Sequence, residues 1–586
     1  MKIHKNLTNI EIAKLLRAVA ASYQIQDESK NKFRIISYSR AADAIEHLGT
    51  EAKDIWDEGN LADIPGVGIN ISKHLGEIFS TGKSKHFEKI LRGIPKAALV
   101  LMDLPSVGPK RAYRLSQELK LSGKNTLLVL KKYALAGKIA KIPGFGEEIQ
   151  ADILKSIEES KNKPESRLIL SVAENIALKI IDWMEKSKTF FRIDVLGSLR
   201  RMAPTVGDID LACATNNPQK TIERFCSYPA KIRVLNKGEK SASLLLSGGI
   251  RADLKVEPPS SYGALLQHFT GSKHHNVALR EHALKKGMSL SEHGIKTKGK
   301  LVLFSVEEDF YKRLGMSFIP PELREDRGEI EAALNHNLPQ LIELKDVKGD
   351  LQIHSNFDIE TSHDIGASSM EEIIFKAKSL NYEYVAFTEH NPSQKGHNPL
   401  QILDIIKKKR EKVMHVNSSE NHVYAFNSLE IDILPDGRLP VSEKVLDMLD
   451  FALVSIHSSF KKSRGEMTKR VLNALEHPKV KIFAHPTARI LGKREAVELD
   501  WEKIFEFCLT NNKWIEINAD PHRLDLPDFL IREAVGYGVK LTLGTDAHAV
   551  DAMGNMRYGV AMARRGWATK EDIVNTLPLK DFLKLL

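Results

Sequence analysis

The chain has 586 residues, 42% hydrophobic and 28% charged, with 86 lysines and arginines against 76 acids for a net charge of +10. That length exceeds what one hydrophobic core sustains, so several domains are expected, and no apolar run approaches the roughly 20 residues that span a bilayer. Three cysteines, Cys213, Cys226 and Cys508, are too few and scattered for a disulfide framework or thiolate zinc site, and the basic balance suits a polyanionic partner.

The first residues, MKIHKNLTNIEIAKLL, alternate charged and apolar positions like an amphipathic helix and contain no apolar h-region or cleavage site, so a cytoplasmic location is expected. To about residue 160 the pattern is of short helices separated by glycine turns. Three turns resemble one another: LADIPGVG over Leu61–Gly68, LPSVG over Leu104–Gly108 and IPGFG over Ile142–Gly146. Glycine permits the tight bend, and the following helix presents free backbone N–H groups that can hold a phosphate oxygen without reading a base. Gly66, Gly68, Gly108, Gly144 and Gly146 are the candidate DNA-backbone contacts. A glycine-ended connection within a helical bundle is the alternative for any single copy.

The polar segment KNKPES over 161–166 marks a boundary. A helix over Leu168–Lys186 then leads into strands over Phe191–Leu196, Ile209–Ala214, Ser241–Leu246 and Ile250–Val256, an α+β pattern. In this region Gly197 and Ser198 precede Val206-Gly-Asp-Ile-Asp-Leu211, which places Asp208 and Asp210 two residues apart. On a strand they face the same way, and apolar flanking residues leave the carboxylates on one face, where they call for cations. Asp253 arrives on a later strand. Three acids can hold two metals about 4 Å apart, one activating an attacking hydroxyl and the other binding triphosphate and leaving group. Ser198, Arg201 and Arg280 can supply donors and positive charge for phosphate oxygens.

Another boundary falls near Phe318–Arg324, and after an acidic helical stretch a new domain begins around Asp346. Short apolar strands then alternate with helices: Gly349–His354, Tyr384–Thr388, Tyr424–Ile433, Phe451–Ile456, Val480–Ala484, Trp514–Ile517 and Lys540–Leu543. Such alternation implies a parallel α/β sheet or barrel. Lysines and arginine over 407–410 read as a solvated helix face. The strands end successively in His354, His390, Glu430, His457, His485, Asp546 and His548. In an α/β barrel the C-terminal strand ends surround one mouth, and mixed imidazole and carboxylate ligands suit zinc, manganese or iron rather than calcium. Arg489 and Arg523 are candidates for phosphate binding or for structural ion pairs.

On Gly197-Ser198, Gly207-Asp208-Ile-Asp210 and Phe269-Thr-Gly-Ser272, residues 1–318 resemble the polymerase beta-like, family X DNA polymerases. The resemblance implies that Asp208, Asp210 and Asp253 bind magnesium or manganese, with Asp253 near the primer 3′-hydroxyl. It puts Ser198 and Arg201 at the triphosphate, Phe269 and Gly271 at the sugar, Asn276 at the base edge and Arg280 at the template-side minor groove, with Gly207 also among the nucleotide-binding residues. Lys273 resembles the lysine that bacterial members place beside the nucleotide. His268 stands where animal relatives have tyrosine, which puts ribonucleotide discrimination in question. In the small N-terminal domain, Phe33–Ala42 resembles a segment that binds a 5′-phosphate. His74 aligns with the Schiff-base lysine of lyase-active relatives, and an imidazole cannot form that imine; adjacent Lys73 points elsewhere on a helix.

Residues 346–570 resemble the polymerase-and-histidinol-phosphatase (PHP) domain, a distorted seven-stranded barrel that hydrolyses phosphoesters with up to three metals. The ligands implied are His354, Asp364, His390, Glu430, His457, His485, Asp546 and His548. Gln352 replaces the first histidine of His-x-His, and Glu389 replaces an aspartate before His390.

The expected architecture is therefore multidomain: a small helical domain with the first helix-hairpin-helix (1–85), a second helix-hairpin-helix domain (86–160), an α+β nucleotidyltransferase palm (161–256), a thumb (257–318), a linker (319–345) and an α/β PHP barrel (346–586). The expected activity is short-gap filling in DNA repair, with 3′-to-5′ exonuclease or 3′-phosphoesterase action and abasic-site endonuclease action as a further option. Gapped or nicked DNA and dNTPs are the implied partners of a monomer with no membrane contact. Two or three zinc, manganese or iron ions are implied at the PHP centre. A processing nuclease with little polymerase activity, and a small-molecule phosphatase fused to a DNA-binding module, are the alternatives.

Overall fold

The structure is a computed structural model that describes residues 7, 9–46, 52–57, 59–64, 66–102, 104, 107–121, 125–160, 167–419 and 423–586. The expected boundary at 161–166, the first six residues, and Pro65, Pro105 and Ser106 of the glycine turns lie outside that set. Contacts divide the chain into two units, residues 1–165 with 245–250, and residues 166–244 with 251–586.

Residues 1–165 of the first unit are helical, from Asn9–Glu46 to Gly146–Ser160, with no strand among those described. Two apolar cores build it, one from Leu7 to Phe87 and one from Ala97 to Ile157. The apolar positions of the repeated turns explain their recurrence: Ile64 and Val67 enter the first core, and Leu104, Val107, Ile142 and Phe145 the second. Each turn thus anchors a bend by burying its two apolar side chains while its glycines stay at the surface.

In the second unit, five strands form a sheet in the order Arg192–Val195, Ile209–Ala214, Arg251–Glu257, Ser241–Leu246, Lys231–Lys237. The central pair, Ile209–Ala214 and Arg251–Glu257, runs parallel, with Asp210 beside Asp253. Helices Tyr262–Thr270, Lys273–Lys285 and Glu307–Arg313 follow, with a three-stranded antiparallel sheet between the last two. The strand Lys231–Lys237 and this small sheet were not foreseen; their exposed lysines weaken the alternation that marks a strand.

The stretch expected as a linker is a packed element. Ile319, Leu323, Ala333 and Leu341 share a core with Phe310 and Tyr311 before them and with Trp567 near the C-terminus. Fully buried Arg324 donates to Glu307 at 2.7 Å and to the carbonyl of Ile319 at 2.9 Å. Prolines and charges mimic a connector in sequence, but here the charges pair with one another inside.

The C-terminal strands are parallel and almost wholly buried, as expected when helices cover a sheet. They form a three-stranded sheet, Gly349–Ile353, Tyr384–Phe387, Tyr424–Asn427, and a five-stranded sheet, Glu430–Asp432, Ala452–Ser455, Val480–Phe483, Trp514–Asn518, Leu541–Gly544. Parallel bridges between His390 and Glu430, and between Ile353 and Ala547, join the sheets at both margins. The expected strand Tyr424–Ile433 is split, because Ser428 and Leu429 carry it from one partner strand to another: its first half pairs with Tyr384–Phe387 and its second with Ala452–Ser455.

One reading of the helix Pro399–Ser418 is corrected. Lys409, expected on a solvated face, is fully buried, with its ammonium 2.8 Å from Glu389 and 2.9 Å from the carbonyl of Phe387. A charge run three or four residues long covers every side of a helix, so one member must face the sheet.

Candidate active sites

In the first unit the glycine turns lead straight into helices. Gly68 precedes Ile69–Thr81 and Gly108 precedes Pro109–Glu118, neither with a side chain capping the first turn. Gly66, Gly144 and Gly146 take left-handed φ values of +94°, +83° and +55°, conformations that a side chain disfavours. Arg114 donates to the carbonyl of Pro143 at 2.9 Å, so the second and third turns are tied together. His74 stacks on His86 with ring centres 4.2 Å apart, while Lys73 is exposed.

The five-stranded sheet brings its acids together through register. Asp210 and Asp253 are direct neighbours on parallel strands, and burial, with the charges of Asp253 and Asp208 added, pushes the Asp210 carboxyl up to about 6. Gly197 is required by this arrangement: a Cβ there would sit 2.5 Å from Asp210 Oδ2. Arg251 Nε donates to Asp253 at 3.0 Å and supplies partial compensation. Ser198, half-buried, lies in the short helix Gly197–Arg200 beside these acids, and Gly207 lies at the surface directly before Asp208.

Arg201 is tethered: its Nε donates to Glu325 at 3.0 Å and its Nη1 to the carbonyl of Thr270. A Cβ on Gly271 would approach the Arg201 guanidinium to 3.1 Å, so this glycine lets its turn and the arginine lie together. Asn276 donates to the carbonyl of His268 at 2.6 Å and accepts from Gln267 at 2.9 Å. His268 meets Phe269 edge-on at 4.7 Å and lies 3.4 Å from Arg280, and burial lowers its affinity for a proton. Lys273, exposed, opens the helix Lys273–Lys285.

All eight ligands anticipated in the C-terminal domain converge on one mouth. Glu430 is its centre, fully buried, with Oε1 at 2.7 Å from His485 and 3.2 Å from His457, and Oε2 at 3.3 Å from His354. Asp546 lies 3.1 Å from His354 Nε2, and Asp364, on the rim, lies 3.4 Å from His548 and 3.9 Å from His390. Their donor atoms fall into groups compact enough for a single ion, among them Glu430–His457–His485 and His354–His390–His548. A cavity of about 200 Å³ opens over them, lined also by His363, Asp520 and Arg523. His485 and Asp546 are held at left-handed φ values of +27° and +53°, a backbone strain typical of functional positions.

The electrostatics favour positive charge in this mouth. Burial opposes protonation of His354, yet Asp546 and Glu430 outweigh it and hold the imidazolium up to about 10. Burial is likewise outweighed at His457, where Asp432 and Glu430 hold it up to about 9. Burial would raise the Glu430 carboxyl, but His390 and His485 bring it well below the usual range. Divalent cations would displace such protons, and the buried His390 Nδ1, His485 Nδ1 and His548 Nε2, which accept or donate no hydrogen bond, fit that role.

Three site residues were missed: Asp520, which lines the cavity, and Asp432 and His363. Asp432 Oδ1 bonds His457 Nδ1 at 2.7 Å, fixing which ring nitrogen faces Glu430, and Asp432 Oδ2 bonds His363 Nε2 at 2.9 Å. The alternation that singled out Asp208 and Asp210 also links Glu430 to Asp432, and His363 directly precedes Asp364. Of the two arginines proposed for phosphate, Arg489 is half-buried and donates inward to the carbonyl of Arg523, whereas Arg523 reaches the cavity, 3.5 Å from Asp546. Glu389, in place of an aspartate, is turned away from the mouth and paired with Lys409.

Comparison with known proteins gives matches along the whole chain. The helix-hairpin-helix domain model matches residues 7–84, and the DNA polymerase beta thumb model matches residues 265–325. The DNA polymerase/3′-5′ exonuclease PolX of Bacillus subtilis is 31% identical over 581 residues, covering 98% of this chain and 99% of that protein. DNA polymerase lambda of Rattus norvegicus is 24% identical over 351 residues, 54% of this chain and 56% of its own. A probable phosphatase of Thermoanaerobacter sp. is 25% identical over 229 residues, 37% of this chain and 88% of its own.

Proposed function

Because the chain belongs to the PolX family of DNA polymerases and 3′-5′ exonucleases, we propose that its two acid-rich mouths divide that chemistry between them. The palm adds deoxynucleotides, and the C-terminal centre removes nucleotides or phosphate from 3′ ends. Convergence of the eight candidate ligands on one mouth with Glu430 at its centre, beside a separate aspartate triad, carries this reading.

In the palm, Asp208, Asp210 and Asp253 would hold magnesium or manganese, which when bound offsets charge on the triphosphate and promotes ionisation of the primer hydroxyl. Ser198, Arg201, Gly207 and Lys273 face the triphosphate, Phe269 and Gly271 the sugar, Asn276 and His268 the nascent pair, and Arg280 the template side. The glycines of the three turns grip the DNA backbone at gaps or nicks.

In the C-terminal domain, a distorted barrel of seven strands, with 424–432 counted as one bent strand, aims its ligands at the cavity. Zinc, manganese or iron there would supply the charge that activates water and stabilises the leaving oxygen. Arg523 binds a phosphate oxygen, and Asp432 orients His457. The domain boundaries follow at 1–91, 94–160, 167–257, 258–345 and 346–586. With His74 at the imine position, no lyase step is assigned.

A primer on one-nucleotide-gapped DNA tests the division of labour. Asp208→Ala should lower extension on the order of 10³-fold while leaving 3′-end degradation intact, and His485→Ala should do the reverse. Extension surviving in Asp208→Ala would refute the palm assignment.

A further inference from the structure

Among the described residues, the groupings that can hold one ion include His354–Glu430–Asp546, on the side of the mouth where Gln352 stands. Its surroundings differ from those of the other three, His354–His390–His548, His363–His390–His457 and Glu430–His457–His485. Gln352 is fully buried, and its amide nitrogen donates to Glu430 Oε2 at 2.9 Å and lies 3.5 Å from Asp546 Oδ1. The amide hydrogens therefore occupy the space between the two carboxylates that an ion would bridge.

Further donors meet Asp546 from the other side. Asn518 Nδ2 donates to Asp546 Oδ2 at 3.2 Å, and the Arg523 guanidinium lies 3.5 Å from that same oxygen. A divalent cation bound by Asp546 would share the carboxylate with a fixed positive charge in a dry setting, where like charges repel strongly. The second oxygen of Glu430 is taken up by His457 and His485 on the opposite flank.

Gln352 also cannot reorient freely. Its Oε1 lies 3.4 Å from Asn518 Nδ2, and its Cβ is packed where a Cβ on Gly544 would come within 2.8 Å. Buried ring nitrogens without hydrogen bonds remain on His354, His390, His485 and His548, so what sets this flank apart is the donors around its two carboxylates.

We propose that this centre binds two divalent cations rather than three, and that the amide of Gln352 with the guanidinium of Arg523 stands in for the third. The proposal rests on the reading of the mouth as a metal centre. One ion belongs to Glu430, His457 and His485, and the other to His354, His390 and His548, with Asp364 on the rim beside them. Asp546 keeps its charge compensated by protein donors alone.

Zinc(II) retained after loading and gel filtration, counted by plasma mass spectrometry, tests this on the full chain. Gln352→His should retain one more zinc per chain than the unmodified protein, and His485→Ala one fewer. No increment in Gln352→His overturns the proposal. Crystals of the unmodified chain grown with zinc give a measurement that needs no variant: anomalous peaks are expected at the two positions, with none bounded by His354, Glu430 and Asp546. A peak there overturns the proposal while leaving the metal-centre reading intact; no zinc lost in His485→Ala and no peak anywhere in the mouth would overturn that reading itself.

Discussion

Lys409 carries an ammonium into a fully buried position, where Glu389 at 2.8 Å and the carbonyl of Phe387 receive it. Burial works against its charge, and Glu389 works for it. Removing one partner strands the other, which costs about 3–5 kcal/mol, whereas replacing both with apolar or neutral groups costs less. Lys409→Met should therefore lower the urea midpoint sharply, and Lys409→Met with Glu389→Gln should recover part of the loss. At Glu325, burial alone would raise the carboxyl, but Arg201 and Arg565 outweigh it and bring it from 4.5 down to about 2. A depressed carboxylate stabilises above its unfolded value and loses that contribution as pH falls through the folded one. The contribution, up to about 3 kcal/mol, should be complete above about pH 4.5 and fade toward pH 2. Urea titrations should accordingly show the stability gap between wild type and Glu325→Gln narrowing over that interval; a constant gap would contradict the pairing.

The turn that carries His363 and Asp364 is fixed by a close approach rather than by its own sequence. A Cβ on Gly366 would lie 2.0 Å from the carbonyl oxygen of His354, and Gly366 and Ala367 donate backbone N–H groups to the carbonyls of Ser355 and His548. Gly366→Ala must push the turn off the strand end and move Asp364 with it. A displacement near 1 Å at a reacting site costs on the order of 10²-fold. Exonuclease assays should fall by that order in Gly366→Ala while primer extension is retained. The bent segment 424–432 is another element set by its neighbours: Ser428 donates to the carbonyl of Phe451, and the Asn427 N–H donates to the Asp450 carboxylate, so the chain leaves one sheet and joins the next.

At the scale of the second unit, Arg565 links the segments around Arg201 and Glu325 to the helix that begins at Asp528. Its Nη1 donates to the carbonyl of Arg201 at 2.8 Å and to Glu325 at 3.0 Å, and its Nη2 to Asp528 at 2.7 Å. Arg557 and Tyr558 reach Glu174 at 2.7 and 2.6 Å, and Arg564 reaches Glu322 at 2.8 Å. With Trp567 in the core of residues 304–341, these contacts make the C-terminal domain part of the support for Arg201. Arg565→Ala leaves Asp528 and Glu325 short of a buried partner, at a cost of about 3–5 kcal/mol. Thermal unfolding should move down accordingly, and primer extension should weaken although the substitution lies outside the palm.

The aspartate triad, the glycine turns and the strand-end ligands were legible in the sequence because each depends on local spacing: i and i+2 on a strand, glycine before a helix, a ligand at the end of each apolar run. Tertiary structure alone decided the rest. The packing of residues 319–345, the burial of Lys409, the orientation of His457 by Asp432 and the donors gathered around Asp546 all join residues distant in the chain. Burial and charge compensation act through space, and a single buried partner can reverse what the neighbours in sequence imply.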